Sequence, residues 1–258
     1  MKKRSVDYNS IASQYDRRYQ VGDYSGIEKQ LLEFVTGARS GSILEVGCGT
    51  GHWLWQLWSR GFNVSGLDPA QSMLNMAKKK VPQAELVHGK AEAMPFSKDS
   101  FNRIFCINAL HHFSDQRVFL KEAYRVLRSG GGIMTVGLDP HTGLDSWWIY
   151  EYFPQVLEID KKRYFPISRI RQMMYEAGFQ ECIVVEAQHT PWQMSARTAL
   201  KIGRLAKTYT SQLTILTDDE YNKGISCLVQ KLESNEAEGG SLTVSSDLRL
   251  YATIGWVR

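Results

Sequence analysis

The amino-acid sequence predicts an α/β protein built on a mostly parallel sheet, and three observations support this fold class. Between Ser42 and Leu138, short apolar and β-branched runs alternate with amphipathic runs. The first apolar run leads into a glycine-rich turn, and the second ends in a carboxylate, Asp68. Strands that alternate with helices imply parallel pairing through right-handed crossovers. A parallel sheet is therefore the expected core.

Five strands and three helices are predicted in this part of the chain. The predicted strands span residues 43–46, 63–67, 85–88, 103–108 and 133–138. The predicted helices span residues 53–60, 70–80 and 117–128. Apolar residues at helical spacing predict a buried face on the first helix: Trp53, Leu54, Leu57 and Trp58. Gly61 follows this helix and glycines 130–132 follow the third, which suits C-terminal glycine caps.

After Leu138 the regular alternation ends. A helix over residues 167–177 that ends at Gly178 and strands over residues 181–187 and 248–257 are predicted. Thr217 followed by Glu220 matches a capping box and predicts a helix start. We expect a single domain spanning residues 1–258. Its core would comprise residues 42–138, 167–187 and 248–258, and its helical cap residues 1–41, 139–166 and 188–247.

Composition excludes several classes of protein. The 258 residues are 43% hydrophobic and 22% charged, as in an ordinary globular chain. A net charge of +4 without a dense basic stripe argues against a nucleic-acid partner. No apolar run approaches the ~20 residues that span a bilayer, and none follows the basic residues 1–4 as in a signal peptide. We expect no membrane partner, and either a monomer or a homodimer.

The cysteines indicate the compartment. None of the four has metal-ligand spacing, and no disulfide pattern is present: Cys48, Cys106, Cys182 and Cys227. Free thiols suggest a reducing environment. We therefore expect a cytoplasmic protein, and no spaced set of histidine, cysteine and carboxylate residues suggests a metal site.

The strongest functional signal is the glycine-rich turn after the first strand. Gly47, Gly49 and Gly51 let the backbone turn tightly and approach a ligand closely. Ligands of open α/β sheets bind beyond the carboxyl ends of the strands. Asp68, at the end of the second strand, can accept hydrogen bonds from both hydroxyls of a ribose. The structural alternative is an aspartate that only caps the next helix.

The spacing of the glycines distinguishes between nucleoside cofactors. A dinucleotide fingerprint has the spacing G-x-G-x-x-G and places a pyrophosphate on a helix N-terminus. Here the spacing is G-x-G-x-G, and Glu45 lies two residues ahead of the first glycine. An acidic residue beside the loop suits a cationic ligand better than a pyrophosphate. S-adenosylmethionine carries an ammonium and a sulfonium and no phosphate, so it is the expected cofactor.

Five motifs occur in order: E-V-G-C-G-T-G (45–51), L-D-P-A-Q-S-M-L (67–74), A-E-A-M-P-F (91–96), N-A-L-H-H-F (108–113) and E-A-Y-R-V-L-R-S-G-G-G (122–132). Together they resemble the class I S-adenosylmethionine-dependent methyltransferases, in particular the branch of the ubiquinone and menaquinone biosynthesis methyltransferases. The resemblance covers residues 8–138. It implies a Rossmann-like, doubly wound, mostly parallel seven-stranded sheet with an antiparallel last strand and helical cap insertions. It also implies in-line transfer of a methyl group to a small-molecule acceptor.

The resemblance assigns the methionine and ribose parts of the cofactor to the first two motifs. The backbone of Gly47, Cys48 and Gly49 is expected to line the methionine part. Glu45 is expected near the amino group, directly or through water, and Asp68 on the ribose hydroxyls.

The same resemblance assigns the remaining cofactor contacts. Four residues are expected around the adenine: Pro69, Met73, Ala91 and Glu92. Asn108 and Ala109 are expected near the methionine and the transferable methyl. In the lead-in segment, Tyr15 is the first choice and Tyr8 the second for a tyrosine that covers the cofactor. One departure concerns the adenine: relatives commonly have an aspartate where this chain has Lys90, and an ammonium cannot accept a hydrogen bond.

Catalytic candidates follow the fourth strand. His112, or secondarily His111, is a candidate general base if the acceptor arrives protonated; the alternative is that both only orient the loop. Aromatic residues in the insertion after the fifth strand could roof the site or anchor the insertion: Trp147, Trp148, Tyr150, Tyr152 and Phe153.

Three other functions compete with methyl transfer to a small molecule. A nucleic-acid methyltransferase often has an Asn-Pro-Pro-Tyr motif after the fourth strand, whereas Asn108 is followed here by Ala-Leu-His. A protein that binds the cofactor without transferase activity stays open because fold does not determine chemistry. The glycine spacing argues against a nicotinamide-dependent dehydrogenase.

Overall fold

The computed structural model describes residues 8–38 and 41–258. The basic residues 1–4 and parts of the expected cap, residues 1–7 and 39–40, lie outside the described residues. The helices are α1 Tyr8–Tyr15, α2 Arg17–Val21, α3 Ser25–Thr36, α4 His52–Trp58, α5 Gln71–Lys80, α6 Gln116–Val126, α7 Trp148–Tyr152, α8 Gln155–Arg163, α9 Ile167–Ala177, α10 Ala196–Lys201, α11 Ser211–Thr214 and α12 Asp218–Ala237. The strands are β1 Ser42–Val46, β2 Asn63–Asp68, β3 Glu85–His88, β4 Phe101–Ile107, β5 Leu127–Leu138, β6 Ser146–Trp147, β7 Gln180–Ser195 and β8 Thr243–Trp256.

The sheet is doubly wound, and its first five strands are parallel. Strand order runs β3-β2-β1-β4-β5 and then β8, so the chain reverses direction across the sheet between β1 and β4. In such sheets ligands bind at this point of reversal, beyond the carboxyl ends of the strands. The expected α/β class and parallel pairing are confirmed.

The other end of the sheet is antiparallel. β8 pairs with β5 along one edge and with β7 along the other, antiparallel in both cases. The two-residue strand β6 also pairs with β8 and brings the number of strands to eight. β7 continues to Ser195 and β8 begins at Thr243, so both strands cross the expected limits between core and cap near residues 188 and 247.

Alternation along the strands builds two hydrophobic layers, one on each face of the sheet. Leu44 and Ile104 belong to one buried cluster, which includes apolar residues of α6 and α9. Ile43 and Phe105, their immediate neighbours, belong to the other cluster, which includes residues of α3 and α4. Successive side chains of a strand point to opposite faces, so each central strand contributes to both layers.

A third cluster holds the insertions together. It joins α7 and α8 to the helices between β7 and β8, and its members include Trp148, Phe153, Leu213 and Leu228. Phe153 is fully buried and stacks on Tyr221 at 6.0 Å between ring centroids. These insertions therefore have a hydrophobic core of their own.

Several local predictions are confirmed and one is wrong. α9 ends at Gly178, whose φ of 107° allows the left-handed cap, and Thr217 and Glu220 form the capping box that starts α12. Glycines 130–132 do not cap a helix, because α6 ends at Val126 and these residues lie within β5. The register of β4 and β5 shifts between Phe101 and Arg103, opposite this glycine run.

Within the described ranges, no helix combines the length and apolarity needed to cross a membrane.

Candidate functional site

The glycine-rich loop joins β1 to α4 at the point of reversal. The backbone N–H groups of Gly47 and Cys48 both donate to the carbonyl of Leu67, at 2.7 and 3.1 Å, which ties the loop to the end of β2. Gly47 has a φ of 77°, and a Cβ there would lie 2.5 Å from the Cβ of Ala109. A side chain at Gly47 would thus be strained and would clash. The loop has to pass close to the residues that follow β4.

Asp68 ends β2 and braces both neighbouring loops. Its Oδ2 accepts from the N–H of Gly49 and its Oδ1 from the N–H of Ala70, each at 2.8 Å. The carboxyl is buried, and burial raises its pKa despite these two hydrogen bonds. Asp68 therefore orders the turn before α5 by binding the N–H of Ala70, the N-cap residue, without being the cap of that helix. It also faces the cavity described next.

A first cavity of about 240 Å³ opens beyond the carboxyl ends of β1, β2 and β4. Eleven of the thirteen residues expected around the cofactor line it: Tyr8, Tyr15, Gly47, Gly49, Asp68, Pro69, Met73, Ala91, Glu92, Asn108 and Ala109. Sequence reasoning did not assign several further lining residues, which lie within the motifs or at most two residues from them: Val46, Leu67, Gly89, Ile107, Phe113 and Ser114.

The two remaining expected residues, Glu45 and Cys48, do not line this cavity. Both are buried beneath the loop. The Oε2 of Glu45 has no hydrogen-bond partner within the described part of the chain. Burial and then the nearby Asp68 raise the pKa of Glu45 well above its usual value. A buried acceptor of this kind is stabilised by a cation close by.

Lys90 and Glu92 border the cavity on the side expected for adenine. Lys90 is exposed. The Oε1 of Glu92 accepts from the hydroxyl and the N–H of Ser114, at 2.7 and 2.5 Å, and from the N–H of Asp115 at 3.2 Å. Glu92 therefore also fixes the loop after β4, a role that its position in the sequence did not indicate.

The lead-in helices are fastened over the glycine loop by Asp16. Its carboxylate accepts from the Thr50 hydroxyl at 2.5 Å and pairs with Lys80 at 2.6 Å. This contact places α1 beside α5, so that Tyr8 and Tyr15 close one side of the cavity. The rings of these two tyrosines meet edge to face at 5.9 Å.

The two histidines after β4 have different surroundings. Asn108 has a φ of 52°, a left-handed conformation that asparagine tolerates, and it turns the chain into a short 3₁₀ turn, Leu110–His112. The Nε2 of His112 lies 2.5 Å from the hydroxyl of Tyr8. Burial raises the pKa of Tyr8 well above its usual value, so the phenol stays protonated and can donate to His112.

His111 belongs to a buried polar chain. Its Nε2 lies 3.0 Å from the hydroxyl of Tyr164, which accepts from Gln212 at 3.0 Å, and its ring stacks on Tyr164. Burial lowers the pKa of His111 well below its usual value, so the ring is neutral at pH 7. Hydrogen bonding and stacking hold this ring in a fixed position. Across residues 8–38 and 41–258, no group of three metal-ligating side chains is arranged to hold an ion.

A second cavity of about 360 Å³ adjoins the first. Four residues line both cavities: Tyr8, Tyr15, Asn108 and His112. The second cavity is also bordered by α2, by the loop after α10, by residues 188–192 of β7 and by residues from 246 to 250 of β8. Trp147 lines it, whereas Trp148, Tyr152 and Phe153 pack into the cluster within the insertions. Trp147 also belongs to this cluster, and Tyr150 packs against it. The insertion thus contributes one ring to the cavity, and all five of its aromatic residues take part in the anchor.

The comparisons with known proteins agree with this geometry. The family described as the methyltransferase domain matches residues 43–131. The demethylmenaquinone methyltransferase of Listeria monocytogenes is 27% identical over 203 residues, which cover 67% of this chain and 85% of that protein.

Two solved structures share the fold. A protein from Anabaena variabilis, described as a methyltransferase from an antibiotic biosynthesis pathway, superimposes with a TM-score of 0.67 at 22% identity, covering 90% of this chain and 97% of that one. Phosphoethanolamine N-methyltransferase 2 of Haemonchus contortus, solved with S-adenosyl-L-methionine, has a TM-score of 0.62 at 17% identity and covers 98% of this chain and 60% of that one.

The matched family model and the similar proteins support a class I S-adenosylmethionine-dependent methyltransferase. The chain is a methyltransferase, and its cofactor is S-adenosylmethionine. The fold, the enzyme class and the cofactor expected from the sequence are confirmed.

Proposed function

We propose that the first cavity binds S-adenosylmethionine, that the second binds a small-molecule methyl acceptor, and that the methyl group passes between them at the four shared residues. The observation that carries this proposal is the shared wall of Tyr8, Tyr15, Asn108 and His112. Methyl transfer needs the two reactants in contact and in line. Two adjoining cavities that meet at one side of the sheet provide such an arrangement.

The first cavity has the chemistry that the cofactor requires. Asp68 faces it with a carboxylate fixed by two backbone N–H groups, which suits the paired hydroxyls of a ribose. Pro69, Met73 and Ala91 offer apolar surface for adenine. The buried Oε2 of Glu45, behind the loop, suits the ammonium of the methionine part, directly or through water.

The sulfonium would supply an activated methyl group when the cofactor is bound. The protein then has to orient the acceptor towards that methyl group and, if the acceptor is protonated, remove its proton. As the acceptor atom bonds to the methyl carbon, the carbon–sulfur bond breaks and its electron pair stays on sulfur. For a hydroxyl acceptor, the Nε2 of His112 would take the proton once the acceptor displaces the Tyr8 hydroxyl from it. His111 is turned towards Tyr164, which leaves His112 as the better candidate for the base.

A small acceptor is favoured by the limited volume of the second cavity, about 360 Å³. Its walls come from the lead-in helices on one side and the insertion helices on the other. Two of the similar proteins are named for methylation of small molecules, demethylmenaquinone and phosphoethanolamine.

Transfer from methyl-labelled S-adenosylmethionine to a panel of phenols, amines and aromatic acids tests the proposal, with products identified by mass spectrometry. We expect a labelled small-molecule product, and a loss of about 100-fold in kcat for His112→Ala if the acceptor is a hydroxyl, with cofactor affinity nearly unchanged. The exposed His88→Ala is the matched control. Label found only in protein or nucleic acid would contradict the proposal, as would tight cofactor binding without transfer to any acceptor.

A further inference from the structure

The wall of the second cavity carries two arginines from distant parts of the chain. Arg18 lies on α2, and Arg204 lies on the loop after α10. Both border the second cavity and neither borders the first. The acceptor side therefore carries guanidinium groups that the cofactor side lacks.

Each guanidinium group is held against an aromatic ring. The Cζ of Arg18 lies 3.7 Å from the centroid of the Tyr15 ring, and that of Arg204 lies 4.5 Å from the centroid of the Trp192 ring. The Nε of Arg18 donates to the carbonyl of Tyr15 at 3.2 Å. Stacking fixes the orientation of a guanidinium plane, whose N–H donors point outward from the edge of that plane. Arg18 forms no ion pair with any carboxylate in the described ranges.

The two arginines line one cavity and share two tyrosine neighbours. Tyr24 and Tyr209 both line the second cavity, and each interacts electrostatically with both Arg18 and Arg204. Burial raises the pKa of Tyr24 to about 12 and also raises that of Tyr209. Both phenols stay protonated, so the wall of this cavity presents two cations and two neutral hydroxyl donors.

Few negative charges oppose these cations. Among the lining residues in the described part of the chain, Asp23 is the one acidic residue, and it is exposed, with its carboxylate accepting from the N–H of Ser25 at 2.9 Å. The neutral His111 adds no charge of either sign. The interior of the cavity is therefore positive, and its other walls include the flat rings of Trp147, Tyr164 and Trp192.

We propose that the second cavity selects a methyl acceptor with a flat aromatic body and an anionic group, a carboxylate or a phosphate, which Arg18 and Arg204 bind. Bidentate guanidinium contacts suit both kinds of oxyanion. The aromatic body would then pack against the rings, with its reacting atom at the wall shared with the cofactor cavity. This inference rests on the proposed function, which assigns the second cavity to the acceptor.

Three probes with the same ring separate the alternatives: 4-hydroxybenzoate, 4-hydroxyphenyl phosphate and the neutral 4-hydroxybenzamide. Each is titrated calorimetrically into the full chain, with and without saturating S-adenosylhomocysteine. We expect at least one anionic probe to bind about 10-fold more tightly than the amide, which is about 1.4 kcal/mol. The stronger of the two anions identifies the group as a carboxylate or a phosphate.

Substitutions then localise the effect. Arg18→Gln and Arg204→Gln should each remove most of the preference for the anion while the affinity for the amide changes little. Arg17→Gln, an exposed neighbour on the same helix, is the matched control and should keep the preference. Arg18→Lys and Arg204→Lys keep the charge and should retain part of it, which guards against a glutamine variant that does not fold.

Equal binding of the anions and the amide, an undiminished preference in both glutamine variants, or no binding of any probe by folded protein would overturn this inference. The proposed function fails separately. If S-adenosylhomocysteine does not bind but an anionic probe does, the first cavity has been misassigned while the anion site stands.

Discussion

The walls of the two cavities differ in how the chain builds them. The first cavity is bordered mainly by residues 46, 47, 49, 67–69, 89–92, 107–109 and 112–114, which lie at or just beyond the carboxyl ends of parallel strands. The second cavity is lined by residues of α2, of the turn after β4 and of the segment between β7 and β8. Residues 188–192 of β7 and residues from 246 to 250 of β8 complete its wall. One wall follows from the core sheet, and the other from packing between distant insertions.

This difference bears on specificity. The wall of the first cavity, the proposed cofactor wall, is fixed by backbone hydrogen bonds, as at Asp68 and Gly47, and leaves little freedom for sequence change. The wall of the second cavity, the proposed acceptor wall, is held by side chains of the helical insertions, whose hydrophobic cluster is separate from the two core layers. A chain can therefore change its acceptor by changing the insertions while the sheet and the loop stay the same.

The largest effect is expected for Asp68→Ala, which removes support from the cofactor wall alone. The two hydrogen bonds that the Asp68 carboxylate would accept from the ribose hydroxyls are lost, each contributing about 1.5–3 kcal/mol, so the affinity for S-adenosylmethionine should fall at least about 100-fold by calorimetry. Asp115→Ala removes a carboxylate that also accepts from two backbone N–H groups, at the start of α6. That control should lower stability without a comparable loss of affinity; equal losses in both variants would remove the special role of Asp68.

Gly224→Ala should disturb the wall of the second cavity and leave the wall of the first cavity unchanged. A Cβ at this position of α12 would lie 2.2 Å from the Phe153 ring, and overpacking of this kind costs about 1–3 kcal/mol. Urea unfolding should show that loss, and acceptor affinity should fall while cofactor affinity is kept. Ser226→Ala, exposed on the same helix, should show neither change. If Gly224→Ala weakened the cofactor as much as the acceptor, the two walls would not be independent.

His111, at the boundary between the walls, should make stability depend on pH. Burial lowers its pKa in the folded protein, so below the ordinary histidine value of about 6.5 the unfolded chain binds the extra proton. Stability should therefore fall as the pH falls below 6.5, by at most about 1.4 kcal/mol per pH unit.

The measurement is the difference in unfolding free energy between the wild type and His111→Asn from pH 7 to pH 5, which should shrink as the pH falls. Asp160, whose pKa burial raises to about 6, titrates in both proteins and so cancels in the difference. His88→Asn is the exposed control. A difference that stays constant over this range would mean that His111 is not held in its neutral form.

The smallest effect is expected at Lys90, on the rim of the cofactor wall. Lys90→Asp restores a carboxylate that can accept from the adenine amino group, and one hydrogen bond of this kind contributes about 0.5–1.5 kcal/mol. Affinity for S-adenosylmethionine should rise about 2- to 10-fold by calorimetry, while Lys90→Ala should leave it nearly unchanged. If Lys90→Asp bound S-adenosylmethionine more weakly than the wild type does, the adenine would not bind beside residue 90.

The wall of the first cavity could be predicted from the sequence because the residues that determine it are close together along the chain. The glycine spacing and Asp68 are fixed by the turn between one strand and the next helix, and the lining residues that were missed adjoin the same motifs. Glycines 130–132 misled the prediction because a glycine run can end a helix or start a strand, and only pairing with β4 decides between them.

The acceptor wall could not be predicted in the same way, because no local rule brings its parts together. The 2.5 Å contact between Tyr8 and His112 depends on how α1 packs against α5. The presence of both Arg18 and Arg204 in one cavity wall depends on the position of the insertion helices. Burial also decided between roof and anchor for the aromatic insertion: Trp147 reaches the cavity, whereas Trp148 and Phe153 do not.

A crystal structure of the full chain with S-adenosylhomocysteine tests the central claim, two cavities that meet at the site of methyl transfer, most directly. We predict ribose hydroxyls on Asp68, adenine beside Pro69 and Ala91, and the sulfur at the wall formed by Asn108 and His112, facing the second cavity. A cofactor bound in the second cavity, or a sulfur turned away from that shared wall, would contradict the account.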